Sequence, residues 1–274
     1  MSSLLAASDL LAELPDVIVI DVSYTLGGPP GIENYTAGHI PGAYYVDLDA
    51  ELAGPPGDGG RHPLPSATVV ESALRRCGVL ETSRVVVYDQ ATSLAAARAW
   101  WIFRYFGLPD VRVLDGGLAA WRSAGGDVVT DVPAAAAGTF TAVPGQLPVL
   151  DADGAAAVAR RGVLIDVRTA ERYAGENEPI DPVAGHIPGA VNTPMAGLLE
   201  PDGRFRTAAE LRDIFTAAGV DPATEVGTYC GSGVTAAQAA LALSEAGVDA
   251  VVYVGSWSEW ITDPSRQIAT GPRP

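Results

Sequence analysis

Residues 37–43 read AGHIPGA, and residues 184–190 read the same seven letters. An identity of that length at an offset of 147 marks an internal duplication, and the flanks extend it. VIVIDV at 17–22 matches VLIDVR at 163–168, each a short β-branched run carrying an aspartate, Asp21 or Asp166. RVVVYDQATSLAAARAW at 84–100 aligns with EVGTYCGSGVTAAQAAL at 225–241. LDGGLAAW, ending at Trp121, aligns with YVGSWSEW, ending at Trp260. The offset falls from 147 to 139 along the repeat, as length changes in loops require. A period of domain length makes this a tandem pair and not a solenoid.

In each copy, short apolar runs such as 17–22, 84–89 and 111–115 alternate with alanine-rich helical stretches such as 91–106. That alternation predicts an α/β fold, with two domains that are each a mainly parallel sheet with helices on both faces. The first domain is expected over 1–130 and the second over 148–274. Between them DVPAAAAGTFTAVPGQL, 131–147, is rich in small residues and proline and nearly uncharged, the composition of a linker.

The chain has 274 residues, 48% hydrophobic and 18% charged, enough apolar material for a core in each copy. Seventeen basic residues against 33 acidic ones leave a formal charge of −16, which repels phosphate backbones and anionic lipid. Neither nucleic acid nor a membrane surface is therefore an expected partner. All 17 basic residues are arginine, so lysine Schiff-base chemistry and a P-loop are excluded. His39, His62 and His186 show no zinc-type spacing, and Cys77 and Cys230 lie 153 residues apart, so no metal site is expected. No apolar run reaches the roughly 18 residues of a membrane span. MSSLLAASDLLAELPD at the start lacks the basic and apolar regions of a secretory signal, so a cytoplasmic protein is expected.

Two copies share a scaffold, and chemistry is sought where they diverge. The sharpest divergence follows the strand at 225–229, where the second copy has Cys230-Gly231-Ser232-Gly233-Val234-Thr235 and the first has Asp89-Gln90-Ala91-Thr92. The carboxyl end of a parallel strand, leading through glycines into a helix, is where α/β folds bind ligands. Backbone N–H groups of such a loop form an anion nest, aided by the positive end of the helix, and favour sulfur as a nucleophile. Cys77, in LRRCGVL at a helix end, reads as core. His39, His186, Asp21 and Asp166 stand in both copies, which points to structural roles. Trp257 and Trp260 read as packing residues of the last helix.

The paired GHIPGA segments, the Asp-Val-Arg of 166–168, YCGSGVTA at 229–236 and GSWSEW at 255–260 together resemble the tandem-domain rhodanese sulfurtransferases over nearly the whole chain. The resemblance implies a catalytic C-terminal domain whose Cys230 cycles between thiol and persulfide. It also implies a non-catalytic N-terminal domain, with Asp89 at the cysteine position. No metal or organic cofactor is implied. Family members that prefer thiosulfate carry basic residues after the cysteine, whereas Cys-Gly-Ser-Gly-Val-Thr resembles those that prefer 3-mercaptopyruvate. A loop without a cation gives a dianion only N–H groups to bind. A mercaptopyruvate donor is thus expected, with thiosulfate the alternative and a non-catalytic persulfide carrier the remaining one.

By the same resemblance, Arg168 matches the family's substrate-binding arginine. Arg172, four residues on, is a second carboxylate clamp or a surface charge. Gly231, Gly233, Val234 and Thr235 are expected to line the substrate, and Ser232 is expected to form a relay with His62 and Asp49. Asp47 is the alternative to Asp49, and His62, in PPGDGGRHPLP, reads alternatively as a solvated loop residue. Ile180 stands where the mercaptopyruvate members often have arginine after Glu-Pro, and Val254 where aspartate often precedes Gly-Ser-Trp. A cysteine phosphatase would need an arginine where this chain has Ala236. The acceptor is expected to be a small thiol, cyanide in an assay, or a thioredoxin-like protein.

Overall fold

The computed structural model describes all residues except Met1 and Pro222. The chain divides into two compact units. One comprises 1–54, 64–147 and 201–205, and the other 55–63, 148–200 and 206–274.

Among the described residues the first unit holds five parallel strands: β1 (Leu4–Leu5), β2 (Ile18–Asp21), β3 (Tyr44–Tyr45), β4 (Val85–Tyr88) and β5 (Val111–Leu114). Their order is β1-β5-β4-β2-β3. The second holds β6 (Val149–Leu150), β7 (Val163–Asp166), β8 (Val191–Asn192), β9 (Val226–Tyr229) and β10 (Ala250–Tyr253). Their order, β6-β10-β9-β7-β8, is the same with every number raised by five. All pairings between these ten strands are parallel, as strand–helix alternation requires. The expected α/β architecture is present in both units.

Every residue of β4 and of β9 is buried, so both faces of each central strand are covered. Val19, Val86 and Tyr88 face Leu10 of the helix Ala7–Glu13 and Trp121 of the helix Gly117–Ser123. In the second unit Leu164, Tyr229 and Tyr253 face Ala155, Trp257 and Trp260. The helix Val234–Glu245 is buried almost all round, and its alanines let it lie close to its neighbours. Cys77 is buried and unbridged, in keeping with a core role, and burial pushes its thiol up to about 12. Residues 131–147 contain no regular structure, yet Phe140 is buried and Val143 N–H donates to Phe106 O at 2.9 Å. The segment is laid against the first unit and belongs to it.

The duplicated motif closes the same corner twice. Tyr35 and Tyr173 donate their hydroxyls to Ala43 O at 2.8 Å and Ala190 O at 2.6 Å. His39 and His186 stack on those tyrosines at 3.9 and 3.7 Å. Each Nδ1 bonds to its tyrosine's carbonyl, at 2.9 and 2.8 Å. A ring so stacked and bonded is a structural histidine. Asp21 and Asp166 likewise cap the turns after β2 and β7, accepting N–H groups from Ser23 at 2.7 Å and Arg168 at 2.9 Å.

Candidate active site

Register places Cys230, the candidate nucleophile. Asp166, last in β7, pairs with Tyr229, last in β9, and Cys230 follows. The loop then turns into the helix Val234–Glu245. Gly233 takes φ +83°, and a Cβ there would lie 2.2 Å from Val254 O, so the turn admits only glycine. That turn aims two backbone N–H groups at Cys230 Sγ, from Gly233 at 3.1 Å and Ser232 at 3.4 Å. Val234 and Thr235 form the first turn of the helix, and Thr235 lines the cavity beside the sulfur.

The loop is tied from behind by 256–258. Trp257 N–H donates to Cys230 O at 3.0 Å and Ser258 N–H to Gly231 O at 2.9 Å. Cys230 N–H donates to Ser256 Oγ at 3.1 Å, and that hydroxyl donates to Tyr253 O at 2.9 Å. Ser256 is fully buried with φ +55°, a conformation costly for a residue with a side chain. The matching residue of the first unit is Gly117, also at φ +55°. There Leu118 and Ala119 make the same ties, to Asp89 O and Gln90 O. The side chain at this strained position thus belongs to the repeat that carries the cysteine.

Ser232 Oγ lies 2.8 Å from His62 Nδ1, and both side chains are buried. The alternative reading of His62 as a solvated loop residue does not hold: segment 55–63 packs into the second unit, and Arg61 N–H donates to Ser258 Oγ at 3.0 Å. Asp49 is on the short helix Leu48–Glu51 of the first unit. Its alternative, Asp47, caps that helix, accepting from Ala50 N–H at 2.9 Å and from the Tyr45 hydroxyl at 3.0 Å.

Of the two expected clamps, Arg168 departs from expectation and Arg172 does not. Arg168 is committed elsewhere: its guanidinium bonds Asp166 at 2.6–3.1 Å, Gly185 O at 2.7 Å and Glu178 at 3.3 Å. It also stands over the Trp257 ring at 4.7 Å and is almost wholly buried. Arg168 forms part of the cavity wall, but its donors hold the protein together and leave little to offer a substrate. Arg172 is no surface charge. It pairs with Glu178 at 2.8 Å and Asp181 at 3.0 Å and lines the same cavity. Arg61, which the sequence reading passed over, also pairs with Asp181. A Cβ on Gly231 would meet Arg61 Nη2 at 2.8 Å and Arg172 Nη2 at 3.3 Å. Two guanidiniums therefore lie directly over the residue after the cysteine. The loop itself is cation-free, as read, but chain segments remote in sequence bring cations to it.

Together Val167, Arg168, Arg172, Met195, Cys230, Gly231 and Thr235 border a cavity of about 230 Å³, the size for a small organic acid. Ile180, in the place of the family's arginine, points out to solvent. Among the described residues no three histidine, cysteine or acidic side chains group as metal ligands. Nor is any helix among them long and apolar enough to cross a membrane.

The first unit keeps the nest and fills it with its own side chain. Asp89 follows β4 as Cys230 follows β9, and its carboxyl accepts N–H groups from Ala91, Ser93, Ala95 and Ala96 at 2.9–3.3 Å. Burial pushes its pKa up against the pull of those donors.

The rhodanese-like domain model matches this chain twice, over residues 6–124 and 151–263. The chain belongs to the rhodanese family. Among its rhodanese relatives, a Mycobacterium tuberculosis protein provisionally named thiosulfate sulfurtransferase SseB is 44% identical over 262 residues, covering 93% of this chain and 91% of that protein. A Pseudomonas aeruginosa protein provisionally named 3-mercaptopyruvate sulfurtransferase is 43% identical over 282 residues, covering 98% of this chain and 99% of the relative. The crystal structure of SseA from Escherichia coli, described as a 3-mercaptopyruvate sulfotransferase of rhodanese fold, superposes with a TM-score of 0.82 at 32% identity. That match covers 94% of this chain and all of SseA.

Sequence reasoning missed Arg61, Asp181 and Ser256. Arg61 stood beside the chosen His62, and Ser256 stood inside the quoted GSWSEW. Neither carries a local signal, because each acts through a partner more than 20 residues away.

Proposed function

We propose that this rhodanese is a sulfurtransferase that takes sulfur from 3-mercaptopyruvate on Cys230 and passes it to a thiol, or to cyanide in an assay. The observation that carries the reading is the sulfur of Cys230, held under two N–H donors, with the Arg61 and Arg172 guanidiniums over the adjoining glycine. The donor's carboxylate takes the guanidinium N–H groups, whose planar forks match it, and this sets its sulfur against Cys230. The Cys230 thiolate attacks that sulfur; an S–S bond forms, the C–S bond breaks, and the electron pair passes to the methylene carbon as an enolate. The proton released from the donor's thiol ends on that carbon, giving pyruvate. Ser232 and His62, 2.8 Å apart, carry it. The persulfide on Cys230 is stabilised by the loop N–H groups until an acceptor thiolate attacks its outer sulfur and frees Cys230.

Charge balance favours this donor. Arg61, Arg168 and Arg172 are matched by Asp166, Glu178 and Asp181, so the cluster is neutral as a whole. A neutral cluster supplies directed N–H bonds for one carboxylate and no net field for a dianion. Thiosulfate is the second reading, and the nearness of two guanidiniums to the loop is what favours it. A thioredoxin-like protein fits as acceptor, since its thiol can reach a persulfide in a reducing compartment, and the cytoplasm is the setting we assign. The test is sulfur transfer to cyanide from each donor in turn, on wild type and Cys230→Ser. Preference for mercaptopyruvate, lost in the variant, supports the reading. Preference for thiosulfate selects the second reading, and activity with neither donor leaves the persulfide carrier.

A further inference from the structure

We propose that Asp181 sets the donor selectivity of this site, an inference that rests on the sulfurtransferase reading above. Its carboxylate bridges two guanidiniums from distant segments, with Oδ1 on Arg61 and Oδ2 on Arg172 at 3.0 Å. The Asp181 side chain is only 2% exposed, so water and salt screen its charge poorly. Asp181 therefore does two things. It holds Arg61 and Arg172 side by side over Gly231, with their terminal nitrogens 2.8 to 3.5 Å from where a Cβ on that glycine would lie. It also cancels one of their two positive charges, the other being balanced by Glu178.

The consequence is selective. A single carboxylate is bound by the geometry of the paired forks, which the neutralised pair retains. A compact dianion would draw its advantage from net positive charge, and the Asp181 carboxylate removes it. A buried unit charge a few ångströms from the ligand acts about twice as strongly on a dianion as on a monoanion. Without it, thiosulfate gains more than mercaptopyruvate. The specificity thus lies in a repulsive group that acts beside the two arginines it bridges.

The test is Asp181→Asn, close to isosteric, with kcat and KM measured for both donors. The ratio of kcat/KM for thiosulfate to that for mercaptopyruvate should rise about tenfold, equivalent to about 1.4 kcal/mol, chiefly through a lower KM for thiosulfate. Adding Arg61→Gln takes the extra positive charge away again and should raise the thiosulfate KM back toward wild type with kcat for thiosulfate retained, which loss of structure would not do. An unchanged or lowered ratio in folded Asp181→Asn, or no reversal in the double variant, overturns the proposal. Thiosulfate and pyruvate binding to Cys230→Ser, with and without Asp181→Asn, gives the same comparison by calorimetry without turnover. It separates failure of this proposal from failure of the sulfurtransferase reading. If Asp181→Asn does not fold, wild type decides. Its thiosulfate KM should change less than about twofold between about 20 and about 200 mM salt, and a steep rise overturns the neutral-pair argument.

Discussion

Asp89 and Cys230 stand in equivalent places, each one residue past a central strand, and each gathers the N–H groups of the loop that follows it. One scaffold thus serves two ends. In the first repeat the carboxyl closes the nest permanently; in the second a smaller sulfur leaves room beside it for a donor atom. The two repeats differ in what fills the loop: a buried carboxyl in one, a cysteine beside a cavity in the other.

Asp89→Ala should therefore destabilise the first unit by about 3 kcal/mol, because it leaves buried N–H donors without an acceptor. Urea unfolding measures this. A cost under about 0.5 kcal/mol would show that water satisfies the nest equally well.

The two cysteines should differ sharply as nucleophiles. Burial holds the Cys77 thiol at about 12, so at neutral pH almost none is thiolate, whereas Cys230 Sγ sits under two N–H donors beside a cavity. Iodoacetamide followed by mass spectrometry should label Cys230 well before Cys77 in the native protein. Equal labelling would remove the basis for choosing Cys230.

Ser256→Gly relieves a left-handed serine and removes the acceptor of the Cys230 N–H. These effects oppose each other, so thermal stability should stay within a few degrees while kcat falls about tenfold through looser placement of the sulfur. A variant with full kcat would show that the ties from Trp257 and Ser258 hold the loop unaided.

His62→Ala should slow persulfide formation from mercaptopyruvate by about 10²–10³, the usual contribution of a positioned acid–base group. Discharge of a preformed persulfide to cyanide needs no proton on carbon and should be nearly unaffected. Equal losses in both half-reactions would make His62 a packing residue.

His186 supplies a pH signature of the fold. Burial lowers its pKa below the ordinary value, so the unfolded chain takes up its proton first as pH falls. Its contribution is complete above the unfolded value, near 6.5, and is lost as pH drops through that value toward the folded one. Denaturant midpoints should fall more between about pH 7.5 and about pH 5.5 in wild type than in His186→Gln. Parallel profiles would exclude this group as the cause.

The repeat of AGHIPGA and the β-branched runs before Asp21 and Asp166 determined the two parallel sheets, because strand periodicity and turn chemistry are local properties of the chain. Cys230 was legible too: strand, cysteine, glycines and helix follow one another in sequence, and their nearest neighbours make the nest. The electrostatics of the site were not. Arg168, two residues past its strand, reads as a ligand group, but the turn after β7 folds it back onto Asp166. Arg61 lies in a glycine- and proline-rich loop without a pattern of its own, yet it reaches Gly231, 170 residues on. Which cations face a substrate depends on which carboxylates have already claimed them. Pairing between charges acts through space and without regard to order along the chain, so only the tertiary structure decided it.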